Sequence, residues 1–270
     1  MRTFTLRAAA ALALFLGMTP ALAQSGAQLI SIPLSRPGEP ISLEIDIMSA
    51  RIEVIGEDRE DALFEVTIEE GERKIVTPSG TRTLTNAGYE LEVDEHDNRI
   101  SFDTDWRSNK ISVVARIPRR ADLDLGTIEN GEIIVANISG NLELSNVNGP
   151  ITASGISGSV IAESVSDSID LSFVSIDDAN ASSLETVTGE LTVRLPASLG
   201  AQIHLDTSQG EIFSDFEVDV QASNPTVTRN DDGNGSEVRI ESVIIANING
   251  GGPTIRMNSM NGDINIRKTN

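Results

Sequence analysis

Residues 131–175 repeat one pattern every nine residues, in five units that read GEIIVANIS, GNLELSNVN, GPITASGIS, GSVIAESVS and DSIDLSFVS. A short fixed period is typical of a solenoid, because one unit cannot bury its apolar face alone and stacked neighbours must cover it. The repeat therefore predicts an all-β, single-domain β-solenoid, with more irregular strands in the N-terminal part, up to about residue 117.

Three positions of the aligned units are apolar. Positions three and five lie two residues apart, so their side chains leave a strand on the same side. Position eight has the opposite parity, and it reaches the same core only if the chain turns before it. The apolar residues are Ile133, Leu142, Ile151, Val160 and Ile169 at position three, Val135, Leu144, Ala153, Ala162 and Leu171 at position five, and Ile138, Val147, Ile156, Val165 and Val174 at position eight.

Positions seven and one carry residue types that suit corners. Asn and Gly adopt a left-handed backbone at low cost, which predicts a corner at position seven. A glycine at position one predicts a second corner or a close approach of stacked coils. Two units then predict a coil of eighteen residues, with a three-sided coil as the alternative. Position seven holds Asn137, Asn146, Gly155, Ser164 and Phe173, and position one holds Gly131, Gly140, Gly149 and Gly158.

The pattern continues outside the five units. Residues 176–179 fit no position, which indicates a four-residue insertion, and Ile255, Met257 and Met260 are predicted to occupy the three apolar positions of a last unit. Residues 221–236 are polar and rich in Gly and Asn, which predicts a loop or hairpin. Period-two alternation predicts earlier strands at residues 41–47, 51–55, 63–68, 89–93 and 110–117.

A longer element occurs twice. Arg116-Ile-Pro118 is followed by an alternating run that ends at Thr127 and then by Gly-Glu-Ile, and Arg194-Leu-Pro196 is followed by a similar run that ends at Thr207 and again by Gly-Glu-Ile. Proline lacks an N–H group and lies at strand ends or edges. Both prolines are therefore predicted to mark a corner.

The first 23 residues have the three parts of a secretory signal: Arg2 and Arg7, a short apolar run over residues 8–16, and the cleavage sequence Ala21-Leu-Ala23. The apolar run is shorter than the roughly 20 residues that span a bilayer. We expect a signal peptide at residues 1–23, an N-terminal extension at 24–40 and the β-solenoid at 41–270. The mature protein is expected outside the cytoplasm, in the periplasm or secreted to the cell surface, without direct membrane insertion.

The chain is strongly acidic, with a formal net charge of −21. Nucleic acids and anionic lipid surfaces require a positive field, so neither is an expected partner. The chain contains no cysteine, which excludes a disulfide, a thiol nucleophile and a lipid-modified cysteine.

These features resemble the DUF4097 group of adhesin-like β-strand-repeat proteins. The resemblance covers roughly residues 41–267 and rests on the Ser49-Ala-Arg-Ile-Glu-Val54 opening, the two Arg-Φ-Pro elements, the two Gly-Glu-Ile segments and the closing Asn-Gly-Asp-Ile-Asn-Ile-Arg. Ala50 and Asp167 stand where glycine would be usual. The resemblance implies a β-solenoid, an extracytoplasmic location and an adhesin-like role, and it transfers no catalytic residues.

We expect no catalytic, cofactor-binding or metal-binding residues. The repeat lacks the Gly and Asp positions of calcium-binding nonapeptides. His96 and His204 have no cluster of further ligands, and Trp106 is expected to pack against the N-terminal coils. Asp177 and Asp178, in the insertion, are the best-placed carboxylates for glycoside chemistry, which needs two of them across the bond.

The sequence predicts a non-enzymatic, adhesin-like scaffold of the cell envelope that binds a protein or polysaccharide. The first alternative is an envelope-stress or regulatory component that acts through a membrane partner. The second is a polysaccharide-active β-helix enzyme, for which Asp177 and Asp178 would have to lie in a groove with Arg or Lys.

Overall fold

The computed structural model describes residues 27–69, 91–104, 110–129, 131–177, 180–221, 226–231, 236–241 and 243–269. These residues form β-strands and contain no helix, so the predicted all-β class is confirmed. Accordingly, no described segment is a helix long and apolar enough to cross a membrane. The predicted signal peptide lies outside the described residues.

The described chain contains 22 strands. Of these, 20 form one large hydrogen-bonded sheet, and the other two form a separate hairpin. In chain order the strands are β1 (Gln28–Pro33), β2 (Ile41–Ile47), β3 (Ala50–Glu57), β4 (Asp61–Glu69), β5 (Leu91–His96), β6 (Arg99–Thr104), β7 (Lys110–Pro118), β8 (Ala121–Thr127), β9 (Glu132–Ala136), β10 (Ser139–Asn146), β11 (Ile151–Ser166), β12 (Ile169–Ile176), β13 (Ser182–Thr188), β14 (Leu191–Leu195), β15 (Ala201–Gln209), β16 (Ile212–Ser214), β17 (Val218–Gln221), β18 (Thr226–Asp231), β19 (Ser236–Glu241), β20 (Ile244–Ile248), β21 (Thr254–Asn261) and β22 (Ile264–Lys268).

The large sheet consists of two stacks of strands that share β11. Stack A runs β5, β6, β2, β8, β10, β11, β13, β21, β15, β20 and β17. Stack B runs β1, β4, β7, β3, β9, β11, β12, β14, β22 and β16. From β8 to β16 the chain alternates between the stacks, so one strand from each makes a coil.

Neighbouring coils of the repeat pair in parallel, in register. Leu142 lies opposite Val160 in stack A, and Ile151 lies opposite Ile169 in stack B. In both pairs the two residues are eighteen positions apart in the chain. Beyond β11 and β12 the separation becomes 22, because Ala162 lies opposite Leu184. This increase of four matches the predicted insertion at residues 176–179.

The third and fifth positions of all five units point into one core, as predicted. Every residue at these positions is at most 2% exposed, and side chains of both stacks belong to the same cluster. Burial of an Ile or Leu side chain contributes about 2 kcal/mol. Contact between neighbouring coils is therefore the main source of stability.

The prediction for the eighth position is only half right. Ile138 and Ile156 are buried, whereas Val165 and Val174 are exposed, as is Met260 in the last unit. Burial at this position follows the backbone of the residue before it. Ile138 and Ile156 each come directly after a residue with a left-handed backbone, and the resulting bend turns them inward.

The seventh position explains this difference. Asn137 (φ 58°) and Gly155 (φ 67°) form left-handed bends in stack B, which confirms a corner there. In stack A the strand continues straight through Asn146 and Ser164, so these side chains point inward and the next residue points outward. Phe173 is likewise buried. The corner prediction was therefore wrong for Asn146, Ser164 and Phe173.

The inward polar residues of stack A form a polar ladder, which comprises Thr127, Asn146, Ser164, Thr186 and Ser259. Most of them satisfy backbone carbonyls where the chain leaves the stack. Asn146 Nδ2 donates to the Gly131 carbonyl at 3.3 Å, Thr186 Oγ1 to Asp167 at 3.2 Å, and Ser259 Oγ to Gly189 at 3.2 Å. A buried carbonyl without a partner is costly, so these hydrogen bonds stabilise the corners.

Glycine at the first position allows the coils to approach closely, as predicted. Gly149 and Gly158 have φ values of 145° and 143°. A Cβ atom on Gly149 would overlap the Gly131 carbonyl oxygen, and one on Gly158 would overlap that of Gly140. Each glycine therefore packs against the glycine one coil away.

The spatial order of the coils differs from their order along the chain. The coil β2/β3 lies between β6/β7 and β8/β9, and the coil β21/β22 lies between β13/β14 and β15/β16. The chain thus steps over one coil at two places, and these are the two Arg-Φ-Pro elements. Strand β7 ends at Pro118 and β14 ends just before Pro196, which confirms that both prolines mark a corner.

The N-terminal strands are less regular than the repeat. Strand β4 pairs antiparallel with both β1 and β7, and β5 pairs antiparallel with β6. The predicted strand at 41–47 coincides with β2, and those at 51–55, 63–68 and 110–117 lie within β3, β4 and β7. The one at 89–93 is described only from Leu91. Strand β1 lies within the predicted extension. The loop or hairpin predicted at residues 221–236 contains β18 but ends at the first residue of β19, so the observed hairpin extends further than predicted.

We predict that Leu144→Asp unfolds the protein. Leu144 is 1% exposed in the middle of the repeat, so the variant loses apolar contact and buries an unpaired carboxylate, at a cost of at least about 4 kcal/mol. Glu143→Lys, on the exposed face of the same strand, is the matched control and should cost less than about 0.5 kcal/mol. Thermal melting followed by circular dichroism measures both, and an unchanged melting temperature for Leu144→Asp would contradict the inward assignment.

Deletion of residues 254–270 is expected to abolish cooperative folding, because β13, β14, β15 and β16 all lose a pairing partner. The control replaces residues 226–241, which include the separate hairpin β18–β19, with a short Gly/Ser link. This control should retain a cooperative melt. A deletion variant that melts cooperatively near the wild-type temperature would show that the last coil is peripheral.

Candidate functional site

The outer face of stack A contains a groove with a volume of about 360 Å³. It runs across four neighbouring strands, β10, β11, β13 and β21. Residues at the sixth and eighth positions of these strands point outward and form its two walls, and the seventh-position residues between them point inward. The lining residues are Ser145, Asn146, Val147, Glu163, Ser164, Val165, Glu185, Thr186, Val187, Asn258 and Met260.

One wall of the groove is apolar. Val165, Val187 and Met260 are 44%, 46% and 59% exposed, and Val147 is half-buried. The register continues this wall through Ile128 and Met48, each 42% exposed, where the Ile128 N–H group donates to the Met48 carbonyl. Six successive strands thus present one apolar side chain each. We call this row the apolar ridge; it consists of Met48, Ile128, Val147, Val165, Val187 and Met260.

The other wall is acidic. Glu163 lies directly opposite Glu185 in the parallel pair of β11 and β13, and both side chains are exposed. Within the described ranges, neither carboxylate has a salt-bridge partner. Like charges opposite one another in a sheet are destabilising. Ser145 and Asn258 flank the two carboxylates on the adjacent strands, so this acidic wall has neutral hydrogen-bonding groups at both ends.

The floor of the groove lies over the polar ladder. Asn146 Oδ1 and Ser164 Oγ, on neighbouring strands, are buried and have no hydrogen-bond partner in the described residues. The strand N–H and C=O groups of the floor are paired within the sheet. A ligand in the groove would therefore contact the side chains of the walls. Apolar groups of the ligand would lie against the apolar wall, and cationic groups of the ligand would lie against the acidic wall.

The cations on the outer face of stack B are paired, in contrast to the acids of the groove. The Arg194 guanidinium contacts the Asp170 carboxylate, and the Arg267 guanidinium lies 3.1 Å from that of Asp215. The Lys268 backbone N–H and the Arg267 guanidinium donate hydrogen bonds that lower the pKa of Asp215. This face is therefore internally neutralised around its arginines.

Of the two carboxylates that the sequence suggested for glycoside chemistry, only Asp177 lies in the described residues. Asp177 is exposed just after β12, and its N–H group donates to the Gly158 carbonyl at 3.2 Å. Asp178 and Trp106 lie outside the described residues. Among the residues that are described, no three His, Cys, Asp or Glu side chains form a group that would hold a metal ion.

The segment around His96 is a hairpin turn between β5 and β6. Asp97 and Asn98 have left-handed φ values of 55° and 64°, and the His96 side chain is 94% exposed. Burial opposes ionisation of Glu95, but hydrogen bonds from Ser35 and from the Asn98 N–H outweigh it and lower the pKa of Glu95. Through these hydrogen bonds Glu95 links the segment around Ser35 to the turn between β5 and β6.

His204 lies outward between the buried residues Ile203 and Leu205. Its neighbour on β21 is Arg256, and its Nε2 atom lies 3.1 Å from Gln202 Oε1. Desolvation and the Arg256 charge lower the pKa of His204.

The groove itself could not be found from the sequence, because the residue types at the seventh position do not show at which units the chain turns and at which the strand continues straight.

No family model matches the chain, and no curated protein matches it. Solved structures similar to the chain include a proposed cell adhesion protein from Clostridium sporogenes, with 13% identity, a TM-score of 0.49 and coverage of 90% of this chain and 100% of that one. A proposed adhesin from Bacteroides fragilis has 10% identity and a TM-score of 0.36, covering 90% and 97%. A proposed lipid-binding protein from Parabacteroides distasonis has 15% identity and a TM-score of 0.33, covering 92% and 98%.

These likenesses are too weak to support an argument about function. The resemblance to the DUF4097 group therefore stays a prediction from the sequence motifs.

The lowered pKa of His204 predicts a pH-dependent contribution to stability. Because the folded state disfavours the charged imidazole, this contribution is complete above the ordinary pKa near 6.5 and is lost as the pH falls towards the lower folded pKa. His204→Gln should therefore lose less thermal stability than the wild type between about pH 7 and about pH 5. His96→Gln is the control and should follow the wild type; identical curves for all three proteins would contradict the prediction.

Proposed function

We propose that this protein is a non-enzymatic, adhesin-like binding scaffold of the cell envelope, built as a β-solenoid in which two nonapeptide units make one coil. The observation that carries the proposal is the groove of stack A, where an apolar ridge and an acidic wall lie side by side on a regular surface. Such a surface binds by side-chain complementarity and needs no reactive group.

The repeat supports the architectural part of this proposal. Parallel pairing at a separation of eighteen residues equals two nonapeptides, and the core positions stack from coil to coil. In such a stack the inward residues hold the fold while the outward residues are free to serve binding. An extended surface of this kind suits a long partner, either a protein or a polysaccharide.

The sequence supports the proposed location. The predicted signal peptide and the absence of cysteine are consistent with a mature protein in the periplasm or at the cell surface. The net charge of −21 is consistent with attraction to basic partners rather than to nucleic acid or anionic lipid.

Binding to the envelope tests this function. Labelled mature protein (residues 24–270) should bind isolated envelope fractions saturably, and heat-unfolded protein should not. Protease treatment of the fractions should abolish binding if the partner is a protein, and removal of polysaccharide should abolish it if the partner is a glycan. Absence of saturable binding would contradict the scaffold role, and release of new sugar ends from envelope polysaccharide would favour the enzyme instead.

A further inference from the structure

We propose that the groove of stack A docks an extended cationic segment of a partner protein. Apolar side chains of the segment lie on the apolar ridge, and its Lys or Arg side chains pair with Glu163 and Glu185. This inference rests on the proposed binding function and assigns a chemistry to the partner.

The apolar ridge supplies the first argument. Its six side chains lie on six successive strands, and strands in a sheet are about 4.8 Å apart, so the ridge is about 24 Å long. An extended segment of about seven residues has this length, at about 3.3 Å per residue. Contiguous exposed apolar groups bordered by polar residues mark interaction sites on soluble proteins.

The acidic wall supplies the second argument. Glu163 and Glu185 face the same groove from neighbouring strands, and no salt bridge relieves their mutual repulsion in the described residues. A Lys or Arg side chain placed between them would remove this repulsion and pair with both carboxylates. Arg194 and Arg267 of stack B already have acidic partners, whereas Glu163 and Glu185 form no ion pair among the described residues.

The backbone of the groove restricts how the segment binds. The strand N–H and C=O groups of β10, β11, β13 and β21 are used within stack A, so the segment cannot join the sheet as another strand. It must lie across the strands, along the stacking direction. Recognition then depends on the alternation of apolar and cationic side chains that matches the two walls.

Charge also selects among occupants. A second copy of the chain would bring its own acidic wall, and its net charge of −21, against the first. The outward residues beside the wall include Glu143 and Asp124, which add to the negative field and repel an anionic lipid surface. A cationic protein segment is the occupant that this field attracts.

The test uses the mature protein and a blocked nonapeptide of alternating valine and lysine, with binding measured by fluorescence anisotropy. The double variant E163Q/E185Q should bind the peptide about tenfold more weakly, because two exposed ion pairs are lost. V165S/V187S should also weaken binding. The matched control D124N/E143Q removes the same charge outside the groove and should lose much less affinity than E163Q/E185Q.

Several results would overturn the proposal. These are an equal loss of affinity in D124N/E143Q, which would indicate bulk attraction only, and equal binding of a valine–glutamate peptide. Dimerisation of E163Q/E185Q in sedimentation experiments would identify a second copy as the occupant. Binding to zwitterionic phosphatidylcholine vesicles that is lost in V165S/V187S would identify lipid.

The envelope assay separates this proposal from the proposed function. If E163Q/E185Q and V165S/V187S bind envelope fractions as tightly as the wild type, the groove is not the docking site, whereas the scaffold function stands. If wild-type protein does not bind envelope fractions, the scaffold function fails, and the peptide titration alone decides whether the groove binds a cationic segment.

Discussion

Parallel, in-register pairing between coils is the constraint on which the rest of the structure depends. Each residue of the repeat lies beside its counterpart eighteen residues away, so one position of the unit becomes a row of side chains through the stack. The rows at positions three and five are apolar and form the core. Because each coil covers only its neighbours, the core exists only when the coils are stacked.

The same constraint produces the features of the outer surface. A residue type that recurs at an outward position becomes a continuous strip, and the apolar ridge is such a strip from Met48 to Met260. Glu163 and Glu185 become neighbours for the same reason, although 22 residues separate them in the chain. The groove is therefore a product of the repeat itself, and its shape needs no loop to position it.

The all-β class and the core positions could be predicted because they depend on period and parity, which the sequence states directly. The eighth position could not, because its direction depends on whether the residue before it bends: Gly155 does, and Ser164 does not. The spatial order of the coils could not be predicted from the sequence either. A nonapeptide shows which residues stack, but any coil of the right pattern fits beside any other, so Ile255 gives no sign of its place between Ser182 and Ile203.

At the two places where the chain steps over one coil, it leaves a slot in the stack that another part of the chain must fill. The slots left by the steps are filled by the first coil, β2/β3, and the last, β21/β22. Strand β1 lies at the rim of stack B, but the coils β2/β3 and β21/β22 are each held between two layers instead of at the rim, where repeat arrays ordinarily fray. During synthesis on the ribosome β13/β14 and β15/β16 must wait for β21/β22, since this coil lies between them and emerges after both. Folding of this part of the stack is thus completed by insertion of a later coil rather than by addition at its edge.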